Sequence, residues 1–348
     1  MSPYIMLTLL FGLGLGTIIT FTSSHWLLAW MGLEMNTLAI LPLMAHSHHP
    51  RAIEATTKYF LTQATAAAML LFASTTNAWL TGQWSIEQMT HPLPTTMIIL
   101  ALALKIGLAP LHSWLPEVLQ GLDLTTGLIL STWQKLAPFA LILQLHSTNS
   151  TMLMMLGITS TLVGGWGGLN QTQLRKMLAY SSIAHLGWMI LILQFSPSLT
   201  LLTLLTYIIM TCSAFLTFKL NKATTINMLA TAWTKAPVLT SLAPLVLLSL
   251  GGLPPLTGFM PKWLILQELS KQDQPLMATL AALSALLSLY FYLRLSYAMT
   301  LTLSPNNLNG ITPWRLPTSH LSLPLPLALT TTLILLPLTP TFSSILTP

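Results

Sequence analysis

The chain has 348 residues, of which 53% are hydrophobic and only 6% charged, with a formal net charge of +6 and a single cysteine. A soluble domain of this length needs a far more polar surface, so the composition specifies an integral membrane protein. Because Cys212 stands alone, it also excludes an internal disulfide and a cysteine-ligated iron–sulfur cluster.

Eleven apolar segments are long enough to span a ~30 Å hydrocarbon core. They lie near 3–21, 25–45, 53–80, 95–120, 124–145, 150–170, 175–195, 199–220, 237–271, 275–300 and 323–345. The expected fold class is therefore all-α: a polytopic transmembrane bundle of about eleven helices forming a single domain over 1–348. The longest polar stretches, about 221–235 and 302–322, are linker-sized. No basic n-region or A-x-A-like site marks a removable signal, so Met1 is expected to begin the mature chain.

In the first segment, Gly12, Gly14 and Gly16 resemble a fragment of a nucleotide loop, but no strand precedes them. Close helix packing is the better reading, as it is for Gly164 and Gly168. Glu34 lies deep in the second segment. The loop cluster His46, His48 and His49 reads as a solvated loop, with metal binding as the sharper alternative. Trp26, Trp79, Trp84, Trp233 and Trp314 fall near segment ends and read as an interfacial aromatic belt.

A short pattern occurs twice. Residues 105–119 read KIGLAPLHSWLPEVL and residues 250–264 read LGGLPPLTGFMPKWL, aligned without a gap 145 residues apart. Gly107 matches Gly252, Pro110 matches Pro255 and Pro116 matches Pro261. Each copy interrupts a long apolar segment beside a lysine, Lys105 or Lys262. Prolines remove backbone donors from the helical ladder. Freed backbone groups are tolerated at this depth only inside protein or along a water-filled cavity, so the breaks imply local hydration. A packing kink is the competing reading. Paired broken segments in the two halves point to a transport site.

Lys105, Lys135 and Lys262 lie well inside the spans, as does Glu34. A charge at the bilayer centre costs on the order of 3 kcal/mol, so these groups must face packed interior or water and must pair or become neutral. Lysine suits a proton relay, because burial disfavours its charged form and a nearby carboxylate restores it. Glu34 is the deep carboxylate, and Lys105 is its expected partner; a static buried ion pair is the bland alternative. His112 in the first break and His185 midway along its segment read either as relay members or as hydrogen-bonded core residues. A haem held between them lacks further support. Glu117 and Asp123 bracket a turn and read as helix-end charges rather than a proton-entry mouth.

Arg51, Lys58, Arg175, Lys176, Lys219, Lys222, Lys235, Arg294 and Arg315 fall on the side holding the N-terminus, and Lys271 on the other. This bias makes the N-terminal side the cytoplasmic or matrix side, and spread basic residues argue for orientation rather than for nucleic acid. The two copies of the pattern then run in opposite directions, an inverted repeat with halves at about 1–145 and 150–300 and a C-terminal helix at about 323–345.

Five stretches carry a resemblance over the whole chain: SSHWLLAWMGLEMN (23–36), LKIGLAPLHSWLPE (104–117), STWQKLAP (131–138), YSSIAHLGWM (180–189) and LGGLPPLTGFMPKW (250–263). They resemble the antiporter-like membrane-arm subunits of mitochondrial NADH:ubiquinone oxidoreductase, respiratory complex I, which are related to Mrp-type cation/proton antiporters. The resemblance implies inverted five-helix repeats, a discontinuous helix in each, and a central axis of buried Glu, Lys and His. By position, Glu34 matches the family's glutamate, Lys105 its partner lysine, Lys135 the lysine of the next helix and Lys262 that of the second broken helix. It also implies a proton-translocating role coupled to NADH oxidation and ubiquinone reduction. No cofactor or metal is expected in this chain; NADH, FMN, iron–sulfur clusters and ubiquinone belong elsewhere in the complex. The implied partners are other membrane-arm subunits, including neighbouring antiporter-like chains, and phospholipids such as cardiolipin. The implied location is the mitochondrial inner membrane, with the N-terminus on the matrix side and the C-terminus in the intermembrane space. Full-length relatives have fourteen helices, and this chain would lack the first three. A stand-alone antiporter and a purely structural subunit are the competing readings.

Overall fold

The structure is a computed structural model that describes residues 2–89, 91–145, 150–234, 237–301 and 324–346. Lys235, Trp314, Arg315 and the 302–322 linker, all named above, lie outside the described residues. Contacts divide the chain into two compact units, residues 1–156 and 157–348.

The first unit holds α1 (Pro3–Thr22), α2 (Trp26–Met44), α3 (Pro50–Thr81), α4 (Pro92–Ile106), α5 (Trp114–Gly121) and α6 (Leu124–Gln144), and the start of α7 (Ser150–Gly168). The second holds the rest of α7, then α8 (Leu174–Ile192), α9 (Pro197–Leu220), α10 (Ile226–Ala230), α11 (Pro237–Gly251), α12 (Phe259–Lys271), α13 (Pro275–Leu301), α14 (Pro324–Ile334) and α15 (Thr339–Leu346). Among the described residues there is no strand, only two isolated bridges, so the all-α expectation is met. Eight of the eleven expected segments correspond to one helix each and three to two each; short α10, in the polar stretch after α9, is the remaining one. Among the described residues five helices, α1, α2, α6, α9 and α13, are individually long and apolar enough to cross a membrane by length and composition. Helices α4 and α11 are shorter because the breaks cut them, and α3 is less apolar because it carries Arg51, Glu54, Lys58 and Gln63. Near the C-terminus, a 3-10 turn at Leu336–Leu338 interrupts the helix expected over 323–345, around Pro337 and Pro340.

Helical structure survives 23 prolines because many sit where no backbone donor is needed. Helices α1, α3, α4, α9, α11, α13 and α14 all begin on proline. The many buried hydroxyls are handled locally. Thr17 donates to Gly14 O at 2.8 Å, Ser131 to Leu128 O at 3.0 Å, Thr211 to Tyr207 O at 2.8 Å and Ser288 to Ala285 O at 2.8 Å. Bonds of this kind, one turn back along the same helix, satisfy the hydroxyl without a neighbouring chain.

In the first unit α1 and α2 meet backbone to backbone. A Cβ on Gly16 would lie 2.8 Å from Gly32 O, and one on Gly32 would lie 2.9 Å from Gly16 O. Gly14 meets nothing within 4 Å, so of the three glycines in α1 it is Gly16 that the packing requires. Helix α6 packs on α1, α2 and α4. In the second unit Gly164 is pressed against the Ala184 backbone, and α14 lies on α9 and α11. The aromatic-belt reading fails for Trp26, which begins α2 fully buried, whereas Trp79 is 87% exposed.

Candidate functional site

The two breaks share one construction. Helix α4 ends at Ile106 and α5 starts at Trp114; α11 ends at Gly251 and α12 starts at Phe259, 145 residues after Trp114. Gly107 (φ +87°) and Gly252 (φ +81°) take the left-handed conformation that closes a helix. Ala103 O accepts from Gly107 N and Leu108 N, both at 2.9 Å; Leu248 O accepts from Gly252 N at 3.1 Å and Leu253 N at 3.3 Å. Each break then has a cis bond at the matched proline, Ala109–Pro110 and Pro254–Pro255. Pro116, expected with Pro110 to disrupt the ladder, and its match Pro261 lie in the first turns of α5 and α12, where the N–H has no intrahelical acceptor. The interruption itself lies upstream of them, at the glycine caps.

Each break frees carbonyls at the end of its first half-helix, and the following half-helix reaches back to one of them. Trp114 Nε1 donates to Leu104 O at 3.0 Å. Lys262 Nζ donates to Gly251 O at 2.7 Å, its stem lying over Gly252. Lys105 lies in the last turn of α4. The two lysines, one before its break and one after, thus both lie at the C-terminal end of a half-helix, where the helix dipole favours a cation, and of the two Lys262 bonds a carbonyl there.

A small cavity in the first unit, with room for about one water molecule, lies where α2 to α6 converge. Lys105 and Lys135 both line it, with Asn36, Thr37, Tyr59, Gln63, Trp114 and Gln134 among its other walls. Lys105 is 6% and Lys135 3% exposed, and Lys105 Nζ has no hydrogen-bond partner in the protein. Glu34, half-buried on α2, acts electrostatically on Lys105 and Tyr59. Its relation to Lys105 is through space: the ion pairs among the described residues are Lys58 with Glu54 and Glu117, and Lys271 with Glu268.

A second cavity, with room for one or two water molecules, lies in the second unit. His185 of α8, Thr203, Thr206 and Met210 of α9, Gly258 of the break, and Lys262 of α12 line it. The His185 and Tyr207 rings lie 5.7 Å apart. Thr257 Oγ1 donates to Thr332 O at 2.7 Å, so α14 is tied to this break.

The remaining candidates are placed as follows. His112 stays in the first break, its ring donating to the Pro110 carbonyl. Glu117 pairs with Lys58 at 2.8 Å, and Lys58 also holds Glu54 at 2.8 Å. Asp123 is the N-cap residue of α6, where its carbonyl accepts from Gly127 N at 2.8 Å. His49 Nδ1 accepts from Arg51 N at 3.2 Å and caps α3. Among the described residues no group of three His, Cys, Asp or Glu is placed to hold a metal. Asn36, Tyr59, Gln63 and Thr203 are neutral, and selecting deep charges passed over them. Their available signal was a polar group in an apolar span, with Tyr59 and Gln63 spaced one turn apart on one face.

Residues 23–288 match the family model for the transmembrane part of NADH:quinone oxidoreductase and Mrp antiporters, and residues 289–343 that for the NADH dehydrogenase subunit 2 C-terminus. The chain is 78% identical over 340 residues to NADH-ubiquinone oxidoreductase chain 2 of Tetraodon nigroviridis, covering 98% of each. It is 72% identical over 348 residues to the protein of that name from Salmo salar, covering 100% of each. Among solved structures, a chain of respiratory complex I from Thermus thermophilus with bound aureothin superposes with a TM-score of 0.87 at 28% identity, over 99% of this chain and 81% of that one. A chain of the Mrp complex from Dietzia sp. shares the fold, with a TM-score of 0.74 at 19% identity over 82% of this chain and 58% of that one.

Proposed function

The chain belongs to the NADH:quinone oxidoreductase/Mrp antiporter membrane family, and from that premise we propose that it is a core membrane-arm subunit of respiratory complex I. In this reading it contributes to proton translocation across the mitochondrial inner membrane, driven by NADH oxidation and ubiquinone reduction elsewhere in the complex. Its partners are the other membrane-arm subunits and phospholipids such as cardiolipin, and its N-terminus faces the matrix. NADH, FMN, iron–sulfur clusters and ubiquinone are held by other chains.

The observation that carries the proposal is the duplicated break, each copy bringing a lysine to a half-helix end beside a small cavity. It supports reading the two units as repeats of one transport element. Glu34 sets the charge balance at Lys105, Lys105 and Lys135 exchange a proton through the first cavity, and Lys262 carries one in the second. His185 shares the second cavity and joins the relay there; His112 is its candidate member in the first break. Moving a proton against the membrane potential needs about 2.3 kcal/mol per 100 mV. No group of this chain supplies that energy, so a shift in the charge partner of Lys105, imposed from outside the subunit, must drive the relay.

Replacing Lys135 by Met tests the relay. Fewer protons pumped per NADH oxidised, in a complex that still assembles, is the expected result; unchanged rate and stoichiometry would remove Lys135 from the relay.

A further inference from the structure

Polar atoms at the first cavity outnumber their partners. Asn36 is 2% exposed and Gln63 4%, and both line the cavity with Lys105. Asn36 Nδ2, Asn36 Oδ1, Gln63 Nε2 and Lys105 Nζ are all enclosed and have no hydrogen-bond partner in the protein. Buried polar atoms in folded proteins are almost always satisfied, by protein or by bound water. Orphans that converge on one cavity of water size call for a water molecule. The chemistry agrees. Lys105 Nζ, Asn36 Nδ2 and Gln63 Nε2 are donors for the lone pairs of a water there, while Asn36 Oδ1 lies against Gly16 of α1, which leaves the water's own protons for another acceptor.

We propose that Gln63, with Asn36, is a positioning residue that holds a water molecule against Lys105 Nζ and aims it for proton transfer to Lys135. The step is balanced: the Lys105 ammonium gives a proton to the water, the water gives a different proton to the neutral Lys135 amine, and the water is regenerated. A neutral amide neither takes up the proton nor competes for charge, which suits it to fix the water's orientation. Gln63 is one helical turn from Tyr59, and both face the cavity from α3. Gln134 Nε2 donates to the Asn36 backbone carbonyl at 3.2 Å, which fixes α2 against α6 at the level of the cavity.

The inference rests on the relay reading above, and the test separates the two. Gln63→Met keeps the volume and removes the carboxamide; Gln63→Asn keeps one. Assembled complex in sealed vesicles is assayed for pumping rate and its pH profile, with Lys105→Met as a parallel variant. The expected result is a loss of about threefold or more in Gln63→Met with an altered pH profile, and recovery of at least half the rate in Gln63→Asn. Wild-type rate and profile in Gln63→Met, or equal loss in both variants, overturns the role of the amide. Normal pumping in Lys105→Met overturns the relay reading itself, whatever Gln63 does.

Discussion

Gly252 is the floor on which Lys262 lies: a Cβ there would fall 2.8 Å from the lysine Cδ and 2.9 Å from its Nζ. The same glycine has φ +81° and closes α11, so one residue both ends the helix and leaves room for the cation that serves its last carbonyl. Gly107 closes α4 in the same way, but a Cβ there would meet Leu115 Cδ1 at 2.8 Å instead of a lysine.

Alanine at either glycine meets the same backbone strain, about 1 kcal/mol. Gly252→Ala additionally displaces Lys262. Pumping per NADH is therefore expected to fall further in Gly252→Ala than in Gly107→Ala at matched amounts of assembled complex. Equal defects would show that the strain alone matters.

Lys262→Arg separates charge from proton transfer. Arginine still donates to Gly251 O but stays protonated at any working pH. The complex is expected to assemble and to pump poorly. Wild-type pumping in this variant would mean that Lys262 supplies only a fixed charge.

Gly16→Ala is expected to cost about 1–3 kcal/mol, because its Cβ would press on Gly32 O and the Asn36 side chain. Gly14→Ala meets nothing within 4 Å and exchanges a poor helix former for a good one, so assembly should be unchanged or better. The yield of assembled complex on native gels distinguishes them.

Glu117→Gln removes one of two carboxylates from an exposed lysine and leaves Lys58 with Glu54. Thermal stability and pumping are both expected to stay near wild type, as exposed ion pairs contribute little. A marked pumping defect at normal stability would return Glu117 to the role of a proton entry point.

Much of the architecture follows from one-dimensional pattern. Apolar runs locate the helices, and Gly107/Gly252 with Pro110/Pro255 locate the breaks to the residue, because backbone constraints of this kind are local. What is not local was not legible. Lys262 follows its break, yet its four-carbon stem carries the ammonium back to Gly251, a reach that spacing does not reveal. Glu34 and Lys105 are deep enough to be named as partners, but the distance between their groups depends on how α2 and α4 pack. Asn36 and Gln63 carry no charge, so no argument from the cost of burying charge selects them. Trp26 sits at a helix start like an interfacial residue and is instead covered by its neighbours.

The self-contained hydroxyls of Ser and Thr bear on movement. Where Thr17, Thr20, Thr211 and Ser288 bond back into their own helices, those bonds make no claim on the adjoining one. A helix built this way can slide or tilt against its neighbour, or against lipid, without exposing an unsatisfied group. Adhesion between such helices rests on shape and dispersion, which change gradually with displacement. The Thr257–Thr332 bond is of the other kind, a directional link between two segments that a small displacement would break. A subunit made largely of the first kind, with a few of the second, can yield in small steps while staying registered where α14 meets the second break.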